Sequence, residues 1–232
     1  MTFSDIKWDA IFDVDLAIQS FPYLLGGLPN TLWISFVSMF FGLLLGLLLA
    51  LGKLSPTRLL RYSSTFYISF MRGVPILIIL FILYSGFPFI GIEFAALTAS
   101  ILGFSLNSAA YIAEIIRSSI RAVDDGQVEA ARSLGMGKWL TLKGVVLPQA
   151  TRIALPPLSN VFLDLIKASS LAAMITVPEI FNKAKIVGGR EFDYMTVYIV
   201  VALIYWAICT FMSFFQEWLE RHFERYLDTP KR

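Results

Sequence analysis

Residues 124–149 read DDGQVEAARSLGMGKWLTLKGVVLPQ, a polar island set between long apolar segments. Asp124 is placed to cap a helix, and Gln127 stands three residues on, at capping-box spacing with Asp in place of Ser or Thr. Val128, Ala131 and Leu134 fall on one face of that helix. Gly135 follows as a residue able to take positive φ and close the helix. Residues 138–146 then predict a second helix that Pro148 ends. Ala130 and Ala131 are small enough to let a helix sit deep in another protein's groove, with Glu129 and Arg132 offering charge at the rim. A plain helical hairpin is the alternative reading.

Working outward, the flanks are membrane-like. The 232 residues are 57% hydrophobic and 16% charged, against about 25% charged in soluble domains. At about 20 residues per span, the length suits one membrane domain. Residues 30–52 carry no charge and begin at Asn30-Thr31 after Pro29. A second span is expected from Gly73-Val74-Pro75 to about Pro88, and a third over 94–116. The fourth, from about Ile153 to before Pro178, is interrupted by Asp164 and Lys167; the last covers 194–215. The expected fold is therefore all-α, a polytopic membrane protein of about five transmembrane helices. Residues 30–216 form its membrane domain. Residues 1–29 are expected to lie as an amphipathic segment on the outer face, with Trp8, Ile11, Phe12, Leu16 and Phe21 among acids. Residues 217–232 form a tail.

Basic residues set the orientation. Lys53, Arg58, Arg61 and Arg72 lie in the first loop, and Arg117, Arg121, Arg132, Lys138, Lys143 and Arg152 in the loop holding the island. Arg221, Arg225, Lys231 and Arg232 lie in the tail. The other side holds Lys7, Lys183, Lys185 and Arg190. The N-terminus is expected outside, with the island and C-terminus cytoplasmic. Asp5, Asp9, Asp13 and Asp15 against Lys7 make a poor start for a cleavable signal peptide. Cys209 and His222, each the sole residue of its type, give neither a disulfide framework nor a His-rich metal site.

Polar residues recur inside the spans. Asn107, Tyr111 and Glu114 share one face of the third, continued by Gly103 and Ser100. Asn160, Asp164 and Lys167 repeat the spacing in the fourth. A charge at mid-bilayer costs roughly 2.5–3.5 kcal/mol on insertion scales, so two such stripes predict a protein-lined cavity. Ser169 and Ser170 add hydroxyls just beyond. Asp164 and Lys167 pairing only with each other, or Glu114 and Arg117 lying at the interface, are the structural alternatives. Gly42 and Gly46 in GLLLG read as a packing face, and the phenylalanines as lipid-facing.

Glu129-Ala130-Ala131, preceded by Gly126-Gln127 and followed by Gly135 and Leu147-Pro148, resembles the EAA loop of ABC-importer permeases, with Val145 where Ile is usual. Pro22-Tyr23-Leu24-Leu25, Gly27-Leu28, Arg72-Gly73-Val74-Pro75, Asn107-Ser108-Ala109-Ala110-Tyr111 with Ala113-Glu114, Pro148-Gln149-Ala150, and Lys167 to Leu171 resemble motifs of the histidine/glutamine-type polar amino acid permeases. Val74 replaces the commoner Thr, and Ala168 an often polar residue. The resemblance implies a type I ABC importer transmembrane domain moving a polar amino acid across the bacterial inner membrane by alternating access. It implies a separate ABC ATPase carrying ATP and Mg, a second permease, identical or paralogous, and an extracytoplasmic binding protein. It assigns ATPase coupling to Gly126, Glu129, Ala130, Ala131, Gly135, Leu147 and Pro148. The chain itself is expected to hold no catalytic residue, cofactor, metal or nucleic acid. In particular, Gly137-Lys138 is followed by Trp139 and preceded by Arg132 where a P-loop needs glycine. An ion-driven transporter using Glu114, Asp164 and Lys167 as a relay, and a non-transporting scaffold, remain as alternatives.

Overall fold

The computed structural model describes residues 12–224, with only the helical course given for 219–224. Ten α-helices account for nearly all of it: α1 (Val14–Leu25), α2 (Leu28–Leu54), α3 (Arg58–Gly73), α4 (Ile76–Phe81), α5 (Ala96–Arg121), α6 (Asp125–Ser133), α7 (Lys138–Thr141), α8 (Leu147–Ala168), α9 (Ile180–Glu191) and α10 (Tyr194–Glu224). Wider and tighter turns extend three of them: α4 runs on through Ile82–Gly86 and Phe87–Ile90, α7 through Leu142–Val146, and α8 through Ser169–Ile175. Four helical stretches are long and apolar enough to cross a bilayer, and α3 with the α4 segment makes a fifth, bent by 101°.

Helix α2 shows why the bundle is tight. Thr31, Ser35, Ser38, Gly42, Gly46 and Ala50 are buried on one face, while Trp33, Phe36, Phe40, Phe41, Leu44 and Leu48 are exposed on the other. Small residues inside let backbones approach, since lipid offers no hydrophobic penalty for large residues outside. The GLLLG step lies on α5: a Cβ on Gly42 would meet Ser108 Oγ at 2.4 Å, and one on Gly46 would meet Ile112 Cγ2 at 2.6 Å. Ile34, Leu80, Phe104, Leu165 and Ile175 fill the core where α2, α4, α5 and α8 meet. A second core joins α1 through Leu24 to Ile180 and Val187 of α9 and Val197 and Val201 of α10.

The expected first loop is mostly helix. Helix α3 runs along α5, with the Tyr67 hydroxyl donating to Leu106 O (2.9 Å) and Ile68 packed among Ala50, Ala110 and Ala113. The second span thus begins with α3, well before Gly73, and breaks at Val74–Pro75 within the bundle. The break has a specific cause. Pro75 lacks an N–H, so the carbonyl four residues back, Met71 O, loses its helical donor. Asn107 Nδ2 supplies one at 2.8 Å.

The fourth span also departs from expectation. Pro148 does not end a helix: Lys138–Ile175 is one helical run, roughly 57 Å at 1.5 Å per residue. The wide turn explains this. Leu147 N–H bonds to Leu142 O, five residues back, and Gln149 Nε2 donates to Val145 O (3.2 Å). The chain enters the first turn of α8, where proline is tolerated.

Of the expected outer segment, residues 1–11 lie outside the described residues. Helix α1 packs Ala17, Ser20 and Leu24 inward and exposes Val14, Ile18 and Phe21. The corner between α1 and α2 rests on α9: a Cβ on Gly27 would lie 2.4 Å from Glu179 C and Ile180 N, and Asn30 Nδ2 donates to Pro178 O (3.0 Å). Glu179, fully buried, accepts from Phe181 N (2.9 Å), Asn182 N (2.6 Å) and the Tyr205 hydroxyl (2.8 Å), tying α9 to α10. Helix α10 continues past the expected boundary at 216 to Glu224.

Replacing Gly46 by Leu is expected to destabilise the detergent-solubilised permease by about 1–3 kcal/mol through overpacking, read as a lower thermal midpoint; an unchanged midpoint contradicts the packing described. Asn107→Leu is expected to cost about 1–3 kcal/mol by leaving Met71 O without a donor. That cost should fall sharply in a Pro75→Ala background, where a backbone N–H returns, and equal costs in both backgrounds contradict the repair.

Candidate functional site: a coupling helix and a membrane cavity

Two places carry the residues singled out by sequence. The first is α6 and its surroundings. Asp124 caps the helix through a side-chain bond from Gly126 N (2.7 Å), where any Cβ on residue 126 would crowd the carboxylate at 2.8 Å. The helix ends in the expected way. Gly135 takes φ +82°, its N–H bonds to Arg132 O (2.9 Å), and Met136 N–H bonds to Ala131 O (3.1 Å), the paired bonds of a Schellman close.

The faces of α6 differ from the expectation in two respects. Ala131 is 4% exposed, so its small size serves packing within this chain. Val128 also points inward, onto a cluster of Ile120, Val123, Leu142, Val146 and Ala150. Leu134 does not join that face and is 84% exposed, because the helix is already closing there. Glu129, Ala130, Arg132 and Pro148 face outward, and Leu147 is partly exposed. Beside them Trp139 is 72% exposed and Leu140 also stands out. Leu134 was read from sequence as sharing the face of Val128 and Ala131, and Trp139 and Leu140 were given no partner role; large apolar side chains within a polar segment were the available signal.

The second place is a cavity of about 280 Å³ at the span break, walled by Ile76, Phe104, Asn107, Ser108 and Tyr111 on one side and Val161, Asp164, Leu165 and Ala168 on the other. Of the two polar stripes, Asn107, Tyr111 and Asp164 meet there. Asn107 spends its amide N–H on Met71 O, which leaves its oxygen as an acceptor. The Arg72 guanidinium lies over the Tyr111 ring, 5.4 Å from its centroid. Arg72 was read from sequence as a loop charge; α3 carries it instead to the break, beside the cavity.

The remaining stripe residues lie elsewhere. Glu114 is held by Lys53 and by Arg117 (2.7 Å), stapling the end of α2 to α5. Asp164 pairs with Lys167 (2.8 Å), yet their side chains are 73% and 58% exposed. Asn160 is exposed and off the cavity wall. Ser169 is buried and donates to Ile166 O (2.7 Å), and Ser170 donates to Lys167 O (2.8 Å). Ser100 is buried and donates to Ala96 O (2.9 Å). Gly103 is buried against Leu80, whose Cδ2 a Cβ would meet at 2.7 Å. Among the described residues no group of His, Cys, Asp and Glu could hold a metal ion.

Comparison with known proteins places this architecture. Residues 42–225 match the family described as binding-protein-dependent transport system inner membrane component. A relative from Bacillus subtilis (strain 168), the probable amino-acid ABC transporter permease protein YckA, is 63% identical over 97% of this chain and 99% of its own length. The L-cystine transport system permease protein TcyB of the same organism is 44% identical, with 92% of each chain covered. A crystal structure of an amino acid ABC transporter with histidines superposes with a TM-score of 0.85 at 36% identity, covering 88% of this chain and 96% of that one. An inward-facing MetNI methionine ABC transporter, at 20% identity and a TM-score of 0.73, shares the fold. The chain therefore belongs to the inner-membrane components of binding-protein-dependent transport systems and is the permease subunit of an ATP-driven importer, a transport subunit whose ATPase is a separate partner.

Proposed function

We propose that this permease moves a polar amino acid through the cavity at the Pro75 break, driven by an ABC ATPase docked on α6. The exposed patch formed by α6, its closing turn and α7 carries the coupling half. Leu134, Trp139 and Leu140 stand out beside Glu129, Arg132 and Ala130, and an apolar cluster rimmed by charges is the character of a partner surface. Gly126 and Gly135 set the two ends of the helix, while Leu147 and Pro148 lie where the following run enters α8. ATP and Mg belong to the ATPase. The basic-residue asymmetry puts this end of the molecule and the C-terminus in the cytoplasm and the N-terminus outside, and it stays large with Arg72 removed from the count.

The cavity carries the substrate half. An amide oxygen at Asn107, the ring of Tyr111 and the carboxylate of Asp164 offer polar partners inside an apolar shell, as a small polar ligand requires. The names of the relatives and the solved neighbour, which concern amino acids, support that class. Asp164 is exposed on a spanning helix; such a group faces protein or water rather than lipid, which favours a second permease across a shared pathway. An extracytoplasmic binding protein delivers the substrate. An ion-driven relay is not favoured, because Glu114 is engaged by two cations away from the cavity and Asp164 and Lys167 satisfy each other. A scaffold leaves the polar cavity without a use.

Leu134→Asp changes a side chain that packs on little of its own chain, so folding should survive. It is expected to lower co-purification of the ATPase and to abolish ATP-dependent uptake in proteoliposomes. Full co-purification with wild-type turnover contradicts docking on this face.

A further inference from the structure

Arg72 has no assigned task, and its surroundings leave it one. It sits at the end of α3, next to Met71, whose carbonyl is bonded by Asn107 (2.8 Å). Asn107 is near the midpoint of the 26-residue α5, so by register the guanidinium lies deep in the bilayer. No ion pair from Arg72 to a carboxylate is found among the described residues. Its contact is the face of Tyr111 at 5.4 Å, and that residue lines the cavity together with Ile76, four residues from Arg72 across the break. A permanently charged group at this depth, stacked but not neutralised, is a functional group in want of an anion. The same cavity presents Asp164 on its opposite wall.

We infer that Arg72 is a specificity-determining residue of the membrane pathway, binding the carboxylate of the carried amino acid as it passes the Pro75 break. This rests on the reading of the cavity as an amino acid site. A guanidinium pairs with a carboxylate through two parallel N–H donors, while Asp164 across the cavity, held by Lys167 at 2.8 Å, exchanges that partner for the ammonium group. The two walls thus match the two charges every free amino acid shares, whatever its side chain. The break supplies the geometry: α3 ends at Gly73, the chain bends at Val74–Pro75 directly before Ile76 of the cavity wall, and the Arg72 guanidinium lies over the Tyr111 ring beside it.

The test measures direct binding of radiolabelled L-histidine, L-glutamine and L-cystine to the detergent-solubilised permease–ATPase complex without the receptor. Each is challenged with its own α-carboxamide. Wild type should bind at least one of the three, with the carboxamide competing poorly. Arg72→Gln should weaken binding by about tenfold or more, the scale of one charged hydrogen-bonded contact, and should erase the preference for carboxylate over carboxamide. Wild-type binding whose preference survives in Arg72→Gln overturns this inference and leaves the amino acid reading intact. Failure of the wild type to bind any of the three overturns the amino acid reading and this inference with it. If Arg72→Gln does not assemble, Arg72→Lys decides: it keeps a point charge without the planar fork, so weaker binding with the preference retained is expected, and wild-type affinity overturns the assignment.

Discussion

A single backbone carbonyl governs the arrangement of this permease. Within a bilayer every peptide group must find a partner inside the protein, and Pro75 removes one from Met71 O. Asn107 restores it from the neighbouring helix. That repair permits a 101° bend where a straight helix would leave no room, and it fixes α3 and α4 against α5 on either side of the bend. The cavity opens beside the repaired carbonyl, and Arg72, Asn107 and Tyr111 are gathered there by the same geometry. The break is therefore the origin of the span's polar chemistry.

Around the break the bundle divides into parts of different stiffness. Helices α2 and α5 are locked by small residues along their contact and by the Lys53–Glu114–Arg117 staple. Helix α6 is joined to α5 by a short turn at Ala122–Asp124, and it packs through Val128 on the segment that becomes α8. Since α5 and α8 supply the two walls of the cavity, a force on α6 reaches both walls through short, well-packed routes. The wide turn at Leu142–Val146 lies on the second route and is the place where that helix has given up its regular hydrogen-bond register.

Much of this was legible from sequence where side-chain type alone decides. The charge-free run of α2, the small step at Gly42 and Gly46, and the positive φ of Gly135 follow from composition and from what glycine permits. The cavity residues Asn107, Tyr111 and Asp164 were visible as polar groups at helical spacing in apolar surroundings. The misses share one cause: each depends on contacts from outside the segment. Helix α3 looked like a basic loop because Arg58, Arg61 and Arg72 dominate its composition, although Tyr67 and Ile68 bury against α5. Pro148 looked like a stop because local rules cannot foresee the wide turn before it. Ala131 looked like a partner surface until its contacts with this chain were known, and Glu179 gave no sequence sign of its role in joining α9 to α10.

The central claim is that substrate passes the Pro75 break while the driving partner sits on α6. It is tested most directly by replacing Cys209 with Ser, placing one cysteine at Ala168 in the cavity wall or at Leu134 on α6, and measuring thiol alkylation in the assembled transporter. The account predicts that the transported amino acid slows alkylation at 168 but not at 134, and that the ATPase shields 134 but not 168. Alkylation at 168 that is indifferent to substrate, or at 134 that is indifferent to the ATPase, would contradict it.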